Sequence, residues 1–179
     1  MTTRCQILFI DKDSNKTQIY RHCDGYPKSV IYDLKIFKDF LNKHRSYSGN
    51  SSGEVYAGGL AAKFLFFKNI QYAIDAYELK KEVYKTKQTF LNFLKNPGEV
   101  FYHFTGHSIE EVSKGISGFE DYIYIVYVNN IYEKWKIKIS KDFPNDCNNK
   151  KELKNAFENA TWNYEDDLDK ASKLKWENY

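Results

Sequence analysis

The chain has 179 residues and a formal net charge of +3, and 42% of its residues are hydrophobic and 17% aromatic. This length fits one domain, or one domain with a tail, and the three cysteines (Cys5, Cys23 and Cys147) argue against a disulfide framework or a zinc ribbon. The interspersed charges lack the basic stripe of a dedicated DNA-binding protein, and no apolar run is long enough to span a membrane.

The first predicted element is a β-hairpin. Residues 3–10 are rich in β-branched and aromatic side chains, residues 11–16 have turn-forming composition, and residues 17–23 return as the second strand. Because side chains alternate along a strand, Arg21 and His22 are expected on opposite faces, so they converge only if the strand twists or bulges after them. No signal-peptide segment precedes the first strand, which predicts a cytoplasmic protein.

Helices are predicted in the centre of the chain. Apolar residues recur at spacings of three and four over residues 27–44, and Pro27 suits the first turn of that helix. A loop rich in Gly, Ser and Asn leads to a second helix over residues 54–72. Residues 73–95 are expected to be helical as well, and an Asn-Pro-Gly sequence ends that segment.

Strands are predicted again in the C-terminal half. Residues 99–105 alternate aromatic side chains, and residues 122–128 have the strongest strand pattern in the chain. A tight turn at Asn129–Asn130 with positive φ is expected to lead into a returning strand over residues 131–139. A helix near residues 151–160 follows.

These elements predict an α+β fold. The N-terminal β-hairpin and the C-terminal antiparallel strands are expected to form one sheet, covered by two or three central helices. We predict a single α+β domain over residues 1–145 and a helical, aromatic extension over residues 146–179.

The junction between the predicted hairpin and the first helix concentrates polar chemistry. Arg21 offers a planar fork for a phosphate or carboxylate, His22 adds a donor near neutral pH, and Gly25 allows a ligand to approach the backbone. The following helix N-terminus carries unpaired N–H groups and a partial positive charge. Asp24 either caps the helix or holds Arg21. The pattern predicts an anion site, and an Arg21–Asp24 pair that only secures the turn fits it equally well.

Four further side chains complete the predicted ligand-binding set. Tyr20 and Tyr26 offer ring faces for a nucleobase, although core packing is their simpler role. Arg4 joins the phosphate contacts if the hairpin register brings it to the face of Arg21, and His107 follows a glycine in a predicted loop. No nucleotide-binding glycine motif, metal-binding motif or nucleophile motif is present, so we predict no cofactor, no metal and no catalytic residue.

The sequence Tyr-Arg-His-Cys-Asp-Gly-Tyr-Pro at residues 20–27, together with Thr3-Arg4, resembles a family of uncharacterised small proteins of phages, archaeal viruses and prophages. Those proteins carry a Tyr-Arg-His-x-Asp-Gly-Tyr-Pro signature, and the likeness covers about residues 3–139. The resemblance implies a viral accessory protein. By analogy of setting, it also suggests a protein that counters host defence by sequestering a nucleotide signal.

From the residues and the resemblance together we expect a protein that binds and sequesters a phosphorylated nucleotide-type signalling molecule without turnover. One alternative is an enzyme that degrades such a nucleotide, with His22 or His107 as general acid or base. The other is a protein–protein inhibitor of a host defence complex that acts through aromatic surfaces or the C-terminal tail. The expected partner is a small phosphorylated nucleotide, with neither membrane nor nucleic acid involved, and homo-oligomerisation is left open.

Overall fold

A computed structural model describes residues 3–44, 53–85, 89–95, 107–110, 121–141, 143 and 149–176. The strand predicted over residues 99–105, most of the Gly/Ser/Asn loop and Cys147 lie outside these ranges.

Six described strands form one mixed sheet in the order β3-β2-β1-β4-β5-β6. Their bounds are β1 Cys5–Asp11, β2 Lys16–Arg21, β3 His107–Glu110, β4 Tyr122–Val128, β5 Lys136–Ser140 and β6 Tyr164–Asp167. Strand β1 pairs in parallel with β4, and the other neighbouring pairs are antiparallel. The predicted α+β fold, with strands from both ends of the chain in one sheet, is confirmed.

Five described helices accompany the sheet: α1 Pro27–Lys43, α2 Ala57–Tyr84, α3 Phe90–Leu94, α4 Lys150–Asn159 and α5 Leu168–Ala171. The first predicted helix is confirmed to within one residue. The two helical segments predicted over residues 54–72 and 73–95 are found as α2, one continuous helix of 28 residues that ends at Tyr84, and the short helix α3. Ala73 and Ala76 of α2 pack against Phe93 of α3. Within the described ranges, no helix has the length and apolar character needed to cross a membrane.

Helices α1 and α2 cover one face of the sheet, as expected from the apolar stripe of α1. Phe9 and Phe37 both contact the ring of Phe64, and Phe37 also packs against the buried Trp135. On the opposite face, a smaller cluster around Ile123 includes residues of α4 and its flanks. The two faces are thus covered unequally, and the larger core lies beneath α1 and α2.

The predicted C-terminal extension contributes to this sheet and core. It supplies α4, strand β6, which pairs with β5, and helix α5, which buries Leu168 and Ala171. The Lys38 ammonium of α1 donates to the Asp169 carboxylate at 2.6 Å, and Trp176 packs edge-on against Tyr164. Trp162, Tyr164 and Trp176 therefore pack against the residues that cover the sheet.

The connection between β4 and β5 differs from the predicted tight turn. Neither Asn129 nor Asn130 has a positive φ, and β5 begins only at Lys136. The Asn130 side chain instead accepts a hydrogen bond from the Tyr132 N–H at 2.8 Å. The prediction of a primed turn at these asparagines is wrong because the chain uses a longer connection, stabilised by that side-chain contact.

Candidate functional site

The junction between β2 and α1 is held against the start of strand β1. The Gly25 N–H donates to the Thr3 carbonyl at 2.9 Å, and its carbonyl accepts the Tyr124 hydroxyl at 2.7 Å. A Cβ atom at Gly25 would lie 2.8 Å from the carbonyl carbon of Arg4. This close backbone contact explains why the position is glycine. Because the N–H and the carbonyl of Gly25 are both already bonded to the protein, they serve the fold.

His22 and Asp24 face solvent, each beside a tyrosine hydroxyl. The Tyr20 hydroxyl lies 2.9 Å from His22 Nδ1, and the Tyr26 hydroxyl donates to Asp24 at 2.9 Å. That hydrogen bond to a carboxylate raises the pKa of Tyr26. Asp24 has a left-handed backbone with a φ of 56°, and no side chain caps the N-terminus of α1. The capping role expected for Asp24 is therefore wrong.

Arg21 points to the other side of the strand and is 3% exposed. Its Nε donates to the Cys23 carbonyl at 2.8 Å, and its Nη1 donates to the Asp33 carboxylate at 2.7 Å. Arg21 and His22 thus stay on opposite faces, as the alternation of the strand predicts, and do not converge. The partner of Arg21 is Asp33 of α1 and not Asp24, so the alternative of an Arg21–Asp24 pair is also wrong.

Asp33 also binds a second buried cation, Lys68 of α2, whose Nζ donates to the other carboxylate oxygen at 2.7 Å. The same ammonium lies 4.9 Å from the centre of the Tyr72 ring. Sequence reasoning overlooked both Asp33 and Lys68. A signal was present, because Asp33 falls within the apolar stripe of α1 and Lys68 follows the core residue Phe64 by one helical turn.

His107 lies directly opposite Arg21 in the pairing of β2 with β3. Its ring packs between those of Phe64 and Tyr72, with ring-centre distances of 6.4 and 6.0 Å. Both ring nitrogens are buried, with no hydrogen-bond partner among the described residues. The pKa of His107 is lowered to about 3, mainly by burial and to a smaller extent by the positive charges of Arg21 and Lys68. The imidazole is therefore neutral at physiological pH.

Arg4 does not share a face with Arg21. The residue opposite Arg21 on β1 is Cys5, so the alternation of the strand places the preceding Arg4 on the other side of the sheet. The Arg4 N–H donates to the Asp121 carboxylate at 2.8 Å, which fixes the start of β1 beside β4. Of the eight predicted ligand-binding residues, the structure brings together Arg21 with His107, and separately His22 with Tyr20 and Asp24 with Tyr26.

A groove of about 510 Å³ opens beside the first turns of α1, and we call it the junction groove. It lies between α1 and the segment that follows α5. Its lining combines aromatic rings, hydroxyl groups, ammonium groups and aliphatic side chains from Tyr26, Lys28, Ser29, Ile31, Tyr32, Lys35, Ile36, Ser172, Leu174 and Trp176. Tyr26 is the one predicted ligand-binding residue among them.

The charge in the junction groove is positive on balance. Lys35 is paired with the carboxylates of Asp39 and Asp169, whereas Lys28 makes no ion pair with any described residue. The first turn of α1 contains no acidic residue, so its partial positive charge is not offset locally. Because Tyr32 is 64% exposed, its ring is accessible to a ligand. The groove can therefore hold a planar ring that carries an anionic group.

Neither the scan against protein-family models nor the searches of curated proteins and solved structures found a match for this chain.

Proposed function

We propose that this chain binds and sequesters a phosphorylated, nucleotide-type signalling molecule in the junction groove, without turnover, as a viral accessory protein. The observation that carries the proposal is the combination, in one groove, of the exposed ring of Tyr32 and the half-buried ring of Trp176 with the unpaired ammonium of Lys28 at a helix N-terminus that no side chain caps. The volume of about 510 Å³ falls in the range typical of small-ligand sites.

The two halves of such a ligand have separate counterparts in the groove. The base stacks on the ring of Tyr32 or Trp176, since every nucleobase offers a π face. The phosphate takes hydrogen bonds from Lys28 and Ser29 and is favoured by the dipole of α1. The proposal keeps the anion site predicted at the start of α1 and assigns its cation to Lys28 in place of Arg21.

Calorimetry against a panel of cyclic and ADP-ribose-type nucleotides tests the proposal with two pairs of variants. Tyr32→Ala is expected to weaken binding by about 5- to 150-fold, the equivalent of about 1–3 kcal/mol for one stacked base. Tyr56→Ala is its matched control, because Tyr56 is similarly exposed, at 67%, and does not line the groove. Lys28→Gln is expected to weaken binding and its salt dependence, whereas Lys43→Gln, at the other end of α1, leaves both unchanged.

Chromatography of the ligand after incubation separates sequestration from catalysis. Intact nucleotide recovered from the denatured protein supports sequestration, and a new product supports the alternative of a degrading enzyme. If no nucleotide of the panel binds at micromolar concentration, the proposal fails and the protein–protein alternative takes its place.

A further inference from the structure

The buried ionic cluster beneath β2 holds more positive than negative charge. We define it as Arg21 of β2, Asp33 of α1 and Lys68 of α2, whose side chains are only 4%, 7% and 8% exposed. Both cations pair with the same carboxylate, and no other described carboxylate lies within ion-pair distance of either one. The cluster therefore carries one buried positive charge in excess.

An excess buried charge is unfavourable unless something compensates it. Charges removed from water lose several kcal/mol of hydration, which is regained only through opposite charges and hydrogen bonds. The Tyr72 ring gives Lys68 partial compensation through its π face. Tyr72 does not supply a negative charge, because burial raises its pKa above the ordinary value for a tyrosine. Within the described residues, the cluster thus lacks one anion.

Hydrogen-bond donors remain available around the cluster. The Lys68 ammonium has three N–H groups and uses one for Asp33, and the Arg21 guanidinium has donors beyond the two that bind Cys23 and Asp33. His107 adds a buried imidazole with no described hydrogen-bond partner, and it faces the same side of the sheet as Arg21. Arg21 and His107 are therefore neighbours across β2 and β3, and Lys68 and His107 both lie beside the ring of Tyr72.

We infer that this cluster is a binding site for a compact oxyanion, with inorganic phosphate as its simplest occupant, held by Lys68, Arg21 and His107. The oxyanion supplies the missing negative charge and accepts hydrogen bonds from the remaining N–H groups of the cluster. Asp33 holds Arg21 and Lys68 in place beside the oxyanion. β3 is an edge strand of the described sheet, so the site lies at one side of the sheet and not at its centre. This site is separate from the junction groove and does not depend on the function proposed for that groove.

Thermal unfolding of the wild-type chain in phosphate, sulfate or chloride at matched ionic strength tests the inference without any substitution. Phosphate at millimolar concentration is expected to raise Tm above its value in chloride, because a ligand that binds only the folded state stabilises it. Equal Tm values in all three salts would overturn the inference.

Titration calorimetry with inorganic phosphate then locates the site. Lys68→Met is expected to lower the phosphate affinity by at least about tenfold, since it removes a charged donor. Lys63→Met, an exposed lysine earlier on α2, is the matched control and is expected to leave the affinity unchanged. Phosphate binding that survives Lys68→Met, or that is lost on Lys28→Gln instead, would assign the anion to another place and refute the inference.

Discussion

The charge excess in the buried cluster predicts a large loss of stability for one substitution and almost none for another, although both break the ion pair between Asp33 and Lys68. Asp33→Asn removes the carboxylate that binds both Arg21 and Lys68 at 2.7 Å, and it leaves two buried cations facing a neutral amide. Removing one partner of a buried ion pair typically costs about 3–5 kcal/mol of unfolding free energy. We expect a loss at the upper end of that range, because two cations lose their partner at once.

Lys68→Met removes the excess cation and leaves Arg21 and Asp33 as a balanced pair. Methionine retains most of the apolar volume of the lysine side chain, so packing against Tyr72 is largely preserved. We expect the unfolding free energy to change by less than about 1 kcal/mol. The double variant Asp33→Asn/Lys68→Met is expected to recover at least about 1 kcal/mol of the loss caused by Asp33→Asn alone, since only one cation remains unpaired.

Urea denaturation at pH 7, followed by circular dichroism in a buffer without phosphate or sulfate, measures all three variants. Comparable m values are required, so that the difference in midpoint reports stability. The charge-excess argument is refuted if Lys68→Met destabilises the protein as much as Asp33→Asn does, because the ammonium would then be a needed partner and not a surplus charge.

Three further predictions concern stability. His107 has a pKa lowered from 6.5 to about 3, so the unfolded chain binds a proton that the folded chain does not, and stability present above pH 6.5 is lost as the pH falls. From pH 7 to pH 5 this group lowers the free energy of unfolding by about 2 kcal/mol, at about 1.4 kcal/mol per pH unit below 6.5. Urea titrations at the two pH values should show this decrease in the wild type and not in His107→Gln. Asp11→Ala removes the acceptor for the N–H groups of Asp13 and Asn15 in the turn after β1 and of Ala57 at the start of α2. Chemical denaturation should show a loss of about 1–3 kcal/mol in unfolding free energy, and no loss would contradict a stabilising role for these hydrogen bonds. Gly25→Ala places a Cβ 2.8 Å from the carbonyl carbon of Arg4, so the free energy of unfolding should fall by about 1–3 kcal/mol, which is measured as a lower Tm. An unchanged Tm would show that the backbone here moves apart without cost and would contradict this steric argument.

Local sequence patterns were sufficient to predict the hairpin, helix α1, strand β4 and the α+β class. Each of these depends on a periodicity or a turn composition that is read within a few consecutive residues. The same alternation correctly placed Arg21 and His22 on opposite faces of β2. A contact between residues that are distant in the chain leaves no such local pattern. The sequence therefore suggested a partner for Arg21 only among adjacent residues, and the prediction of Asp24 is wrong.

Only the tertiary structure decided which polar residues meet. Asp33, Lys68 and His107 are separated by 35 or more positions in the chain, and they come together because α1, α2 and β3 pack beside the same end of β2. The junction groove likewise forms only because the segment after α5 returns to the first turns of α1. The sequence alone determines which faces are apolar and where backbone turns are favourable. Packing of distant elements decides which charges are buried together, because the cost of burial can be offset only by groups that share the same space.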